Sequence, residues 1–69
     1  MKLSARNQLP GRVVAITKGV TTAHVKIAVA EGTVITASIT NEAVDALQLE
    51  VGKAVFAVVK ASDVMVGVE

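Results

Sequence analysis

The stretch from Thr22 to Ala30 has a period regular enough to fix its own conformation. Ala23, Val25, Ile27 and Val29 fall on one side, and Thr22, His24 and Lys26 on the other. A period of two puts each set on one face of an extended chain, so this segment reads as a half-buried β-strand. Glu31-Gly32 follows as a turn suited to a hairpin. From Thr33 to Thr40 the period repeats, with Thr33, Ile35, Ala37 and Ile39 set against Val34, Thr36, Ser38 and Thr40. That second set is mostly hydroxyls, where an ordinary exposed strand would carry charge. The fold must therefore hold a hairpin with one apolar face.

The remaining segments are shorter. Leu9-Pro10-Gly11 predicts a turn or a strand edge, because Pro10 has no amide hydrogen and Gly11 tolerates special dihedrals. Arg12 to Lys18 is rich in β-branched residues and predicts a strand, ended by Lys18-Gly19. Gly19 is expected in a turn conformation that other residues resist. Thr40-Asn41-Glu42 is a helix start, with Ala43, Val44, Ala46 and Leu47 as its apolar face and Gly52 as its stop or the following turn. Lys53 to Lys60 is apolar on both faces and predicts a strand buried on both, with Phe56 in the core. Val64 to Val68 predicts a last short strand. The fold class is thus all-β with one short helix, a five-stranded barrel of the oligonucleotide-binding type, in a single domain over residues 1–69.

Length then becomes a constraint. A chain of 69 residues buries only about 60% of its unfolded surface as a monomer. Small domains offset this with disulfides, a metal or oligomerisation. The chain has no Cys and one His, which removes disulfides, thiolate metal sites and a zinc site of imidazoles. Oligomerisation remains. It suits a composition that is 52% hydrophobic with a single aromatic, more apolar surface than so small an interior can hide.

Several functions are excluded on the same grounds. The longest uncharged apolar run, Ala54 to Val59, is far shorter than the roughly 20 residues of a spanning helix, and the first residues contain no signal-peptide core. A cytoplasmic protein without membrane partners is expected. The net charge is +1, which is no footprint for duplex nucleic acid, and one aromatic gives no stacking platform for single strands. His24 has no nucleophile or acid at a diagnostic spacing, so no catalysis is expected.

Two polar stretches stand out near the ends, Ser4-Ala5-Arg6-Asn7-Gln8 and Lys60-Ala61-Ser62. Each alone reads most simply as a solvated lead-in or strand end. Together they supply hydroxyls beside flexible backbone, a few cations and few carboxylates, which is what a tetrahedral oxyanion needs. Thr40, at the helix start, adds another hydroxyl.

The first stretch, followed by Gly11-Arg12-Val13-Val14, resembles the opening of the molbindins, small molybdate-binding proteins also named molybdopterin-binding proteins (Mop), with a TOBE-like domain. Ala57-Val58-Val59-Lys60-Ala61-Ser62-Asp63-Val64-Met65-Val66-Gly67 resembles their close. The likeness spans essentially the whole chain. It implies a five-stranded barrel assembled as a hexamer, a trimer of dimers, that binds molybdate or tungstate at subunit interfaces. By position, it implies one side of a site at Ser4, the backbone of Ala5 and Arg6, Lys60, Ala61 and Ser62, completed by Thr40 of a neighbouring subunit. A second class of site near a threefold axis would fall at Asn7, Gly19 and Val20. The same module occurs in a molybdate-responsive regulator and in a transporter ATPase. Here no helix-turn-helix or P-loop accompanies it, so a store or buffer of the oxyanion is expected. The alternatives are a molybdopterin-cofactor carrier and a structural or protein-interaction barrel with no ligand.

Overall fold

The computed structural model describes all 69 residues. In chain order they form β1 (Asn7–Lys18), β2 (Thr22–Ala30), β3 (Thr33–Thr40), α1 (Asn41–Ala46), β4 (Ala54–Val59) and one 3-10 turn at Ala61–Asp63. The predicted hairpin is β2 and β3, in one register from Thr22 opposite Thr40 to Ala28 opposite Val34, with a shift before Ala30 opposite Thr33. Ala23, Val25 and Ile27 are buried as their period requires, and Gly32 closes the turn at φ 77°. The four strands form one antiparallel sheet in the order β3-β2-β1-β4.

β1 divides its length between two partners. Asn7 to Arg12 pairs with β4, and Arg12 to Lys18 pairs with β2, so Arg12 faces both Ala54 and Ala28. A register shift between Val13 and Ala15 follows directly, and such a bulge bends and twists a strand. Gly11 is required at this hand-over. A β-carbon there would lie 2.4 Å from the Ala28 carbonyl oxygen and 2.9 Å from Ile27 Cγ2. The sheet curls because β1 is shared in this way, and its curled inner face carries the core.

The expected turn at Leu9-Pro10-Gly11 is not formed, and β1 begins five residues earlier than Arg12. β4 offers this segment a ladder, and only on one side. Pro10 can therefore sit in a strand whose other edge needs no amide. Gly19 also differs from expectation, since its φ is not positive. Its amide donates to the Thr22 carbonyl at 2.8 Å, and a β-carbon would lie 2.9 Å from that same oxygen. Other residues are resisted there by contact rather than by dihedral.

α1 is capped as predicted. Thr40 Oγ1 accepts from the Ala43 amide at 3.0 Å, Glu42 stands in the first turn, and Val44 is buried against the sheet. Beyond the helix, Lys53 Nζ donates to the Leu47 and Gln48 carbonyls at 2.9 and 3.1 Å, which satisfies the carbonyls left over at its end.

Two expectations about the carboxyl-terminal third fail. β4 is buried on one face only: Val55, Ala57 and Val59 turn inward, while Ala54, Phe56 and Val58 are exposed. Phe56 is 53% exposed rather than core, because nothing in the chain covers the outer face of β4. Val64 to Val68 forms no strand and lies exposed, since the turn at Ala61–Asp63 directs it away from β4. The chain thus supplies four strands of the expected five, and β3 and β4 remain edges. Between them opens a cleft of about 370 Å³ whose lining includes Val25, Ile35, Ala37, Leu49 and Phe56, with Thr36 its one polar contributor. Only six residues are fully buried, so the single chain has a small core.

Candidate functional site

The pairing of β1 with β4 decides where the two polar stretches lie. Asn7 faces Val59 and Gln8 faces Val58. The ladder ends at Asn7 and Val59, so Ser4-Ala5-Arg6 enters β1 and Lys60-Ala61-Ser62 leaves β4 at the same end of the sheet. Segments more than fifty residues apart in sequence therefore emerge side by side from one end of the sheet. The Asn7 carboxamide fastens them by donating to the Val59 carbonyl at 3.2 Å.

Past that point the backbone stops pairing with itself. The hydrogen bonds outside helices and strands use no amide from Met1 to Arg6, nor those of Lys60, Ala61 and Ser62. On the second segment the geometry is set by the 3-10 turn. The Asp63 amide donates to the Lys60 carbonyl at 2.9 Å, and the Val64 amide to the Ala61 carbonyl at 3.3 Å. In a planar trans peptide the carbonyl and the following N–H point in opposite directions. Holding those two carbonyls inside the turn therefore points the Ala61 and Ser62 amides out of it. On the first segment, Gln8 Nε2 donates to the Ala5 carbonyl at 3.2 Å.

The charge available is modest. Arg6 and Lys60 are exposed, and the chain's one ion pair joins Lys18 to Asp45 at 2.6 Å, on other elements. The two cations beside the paired segments are therefore not neutralised by a carboxylate. Ser4 and Ser62 add hydroxyls, also exposed. Neutral amides, hydroxyls and two cations form a set rich in donors, whose acceptors are the serine oxygens and the Asp63 carboxylate of the turn. Such a set suits a fully deprotonated oxyanion and offers no nucleophile and base pair for catalysis.

The structure brings the two stretches, Ser4-Ala5-Arg6 and Lys60-Ala61-Ser62, to the same end of the β1–β4 pair. It does not bring Thr40 to them. Thr40 ends β3 opposite Thr22, at the far edge of the sheet and the other end of β1. Its oxygen accepts the helix cap, which leaves its own proton free to donate outward. Asn7, Gly19 and Val20 are not brought together within one chain either, because Asn7 opens β1 and Gly19 follows its last residue. The Gly19 and Val20 carbonyls are instead taken by Asn41 Nδ2, at 2.9 and 3.3 Å. Gln8 was not among the expected site residues, although it sits three residues after Ala5, within reach of a side-chain bond back to that carbonyl.

Comparison with known proteins adds an independent line. Residues 3–66 match the TOBE domain family. The chain is 51% identical over 69 residues to a probable molybdenum-pterin-binding protein of Haemophilus influenzae, covering the whole of both chains. It superposes with a TM-score of 0.89 on a molybdate-binding protein from Sporomusa ovata, at 39% identity over 96% of this chain and 97% of that one. With the cytoplasmic molybdate-binding protein ModG, solved with molybdate bound, the TM-score is 0.93 at 46% identity. There this chain is covered completely and spans 49% of the longer one.

Proposed function

The chain belongs to the TOBE domain family, and on that footing we propose that it binds molybdate, and tungstate, as an oxyanion for storage and homeostasis in the cytoplasm. The observation that supports the reading is the β1–β4 pairing, which ends at Asn7 opposite Val59 and so brings Ser4-Ala5-Arg6 and Lys60-Ala61-Ser62 to one end of the sheet, beyond the last paired backbone. Ser4, the backbone of Ala5 and Arg6, Lys60, Ala61 and Ser62 form one side of the site. Thr40 of a second copy supplies the other, since within one chain it lies at the opposite edge of the sheet. The group Asn7, Gly19 and Val20 likewise needs several copies to meet.

Assembly into a homo-oligomer, a hexamer built as a trimer of dimers, is part of the same proposal. It is supported by the small core, by the uncovered cleft between β3 and β4, and by the exposure of Val64, Met65, Val66 and Val68. Such a ligand site also links binding to assembly, because an anion that binds only the oligomer stabilises it.

Selectivity follows from size and protonation. Molybdate and tungstate share charge and nearly share dimensions, so fixed donors treat them alike. Sulfate is smaller and leaves some donors out of reach. Phosphate is partly protonated near neutral pH and must turn a serine oxygen from donor to acceptor, which costs the anion a donor. A pterin is a poorer fit. Its ring edge carries several donors and acceptors, and the one cleft large enough to hold it is apolar except at Thr36. Calorimetric titration of the purified protein with molybdate, tungstate and sulfate tests the reading. Comparable heats and affinities are expected for the first two, with sulfate much weaker; three equal or absent responses would overturn it.

A further inference from the structure

The turn at Ala61–Asp63 orients its own outward amides, but Ser4 to Arg6, the bent segment that leads into β1, has no hydrogen-bonded turn to do so. Its orientation depends on one bond, from Gln8 Nε2 to the Ala5 carbonyl at 3.2 Å. That carbonyl and the Arg6 N–H belong to a single planar peptide and point oppositely. Holding the carbonyl on the Gln8 side therefore aims the Arg6 amide to the other side. None of the backbone hydrogen bonds outside helices and strands takes up the Arg6 amide. We propose that Gln8 is a positioning residue that sets the direction of the Arg6 amide and thereby the size selectivity of the oxyanion site. This rests on the oxyanion reading given above.

Gln8 is suited to the task by its place in the fold. Its own backbone is held in β1, opposite Val58 of β4, so its side chain reaches back from a fixed strand to a segment outside the sheet. It is exposed, so its replacement removes no core packing. The Asn7 carboxamide acts in the same way on the facing strand. It binds the Val59 carbonyl and so orients the Lys60 amide. Adjacent carboxamides thus orient one amide on each segment.

The consequence is a change in selectivity rather than in folding. A fixed Arg6 amide meets an oxygen of the larger anion and falls short of sulfate. A released one can rotate to follow the smaller anion. In Gln8→Met the side chain keeps its length and loses its donor. Gln8→Lys keeps a donor of similar reach, and its added charge favours both dianions alike, so the ratio of affinities remains informative.

The experiment measures molybdate affinity by calorimetry, sulfate affinity by competition, and the unfolding midpoint, for wild type and both variants at one protein concentration. With a net hydrogen bond worth about 1 kcal/mol, Gln8→Met is expected to lower the molybdate-to-sulfate ratio about fivefold. The midpoint should fall only slightly, because the bond lies on the exposed surface, and Gln8→Lys should restore the ratio. A wild-type protein that does not bind molybdate overturns the oxyanion reading and this inference with it. A wild type that discriminates, with Gln8→Met showing the same ratio, overturns this inference alone. So does an equal loss for both anions or a ratio that Gln8→Lys fails to restore.

Discussion

The β2–β3 hairpin and the paired segments at the ends of β1 and β4 treat the backbone in opposite ways. In the hairpin, the ladder runs from Thr22 opposite Thr40 to the turn, and the inward side chains of β2 are buried. Its form follows from its own period of two, and little of it depends on distant residues. At the other end of the sheet, Ser4 to Arg6 and Lys60 to Ser62 are almost wholly exposed and leave amides free. Their arrangement depends on a strand pairing between residues more than fifty positions apart. The hairpin is a scaffold because its two strands pair with each other along their length, and the ends can bind because their amides are left without backbone partners.

The sharpest way to break this contrast is to strike the hand-over that connects the two regions. Gly11→Ala places a methyl group 2.4 Å from the Ala28 carbonyl oxygen, a backbone atom that cannot rotate away. Destabilisation of about 3 kcal/mol is expected, at the upper end for overpacking, measured by urea unfolding at fixed protein concentration. The β2–β3 hairpin and the β1–β4 pairing should fail together, because Arg12 belongs to both ladders.

A second substitution separates binding from folding. Ala61→Pro deletes one outward amide and little else. Lys60, at φ −63° and ψ 140°, already has the conformation that a residue before proline requires. The first position of a helical turn accepts proline because its amide has no partner inside the turn. Molybdate affinity is expected to fall by a factor of about ten or more, as the loss of a hydrogen bond to a charged group implies. The unfolding midpoint should move little. Unchanged affinity in this variant would remove Ala61 from the site.

The smallest effect divides a structural role from a binding one at Thr40. Thr40→Ala removes the helix cap and should cost about 1 kcal/mol of stability. Thr40→Asp keeps a capping oxygen and should retain that stability. If Thr40 of a neighbouring copy faces the anion, the aspartate variant loses molybdate binding while staying folded. If both variants bind normally, Thr40 is a cap and no more.

The parts legible in the sequence share a physical cause. Strand alternation, the Glu31-Gly32 turn and the Thr40 cap are local, each decided by residues within a few positions of one another. Gly32 at φ 77° and the Thr40 to Ala43 bond are read almost directly from residue type. The misreadings have the opposite character. Leu9-Pro10-Gly11 became strand because β4 was available to pair with it, and Phe56 was exposed because no second layer covers β4. Val64 to Val68 had the composition of a strand and no partner strand within the chain.

The sequence by itself determined the hairpin, the helix start and the chemistry present at the two ends: amides, hydroxyls, Arg6 and Lys60, with no thiol and one imidazole. It also carried the resemblance on which the oxyanion expectation was based. Only the tertiary structure decided where those donors lie. The β1–β4 register brings the two stretches out at one end of the sheet, the 3-10 turn points two amides outward, and the Gln8 bond holds the Ala5 carbonyl. Composition counts donors, whereas their directions are fixed by strand pairing and planar peptides, which local sequence does not encode.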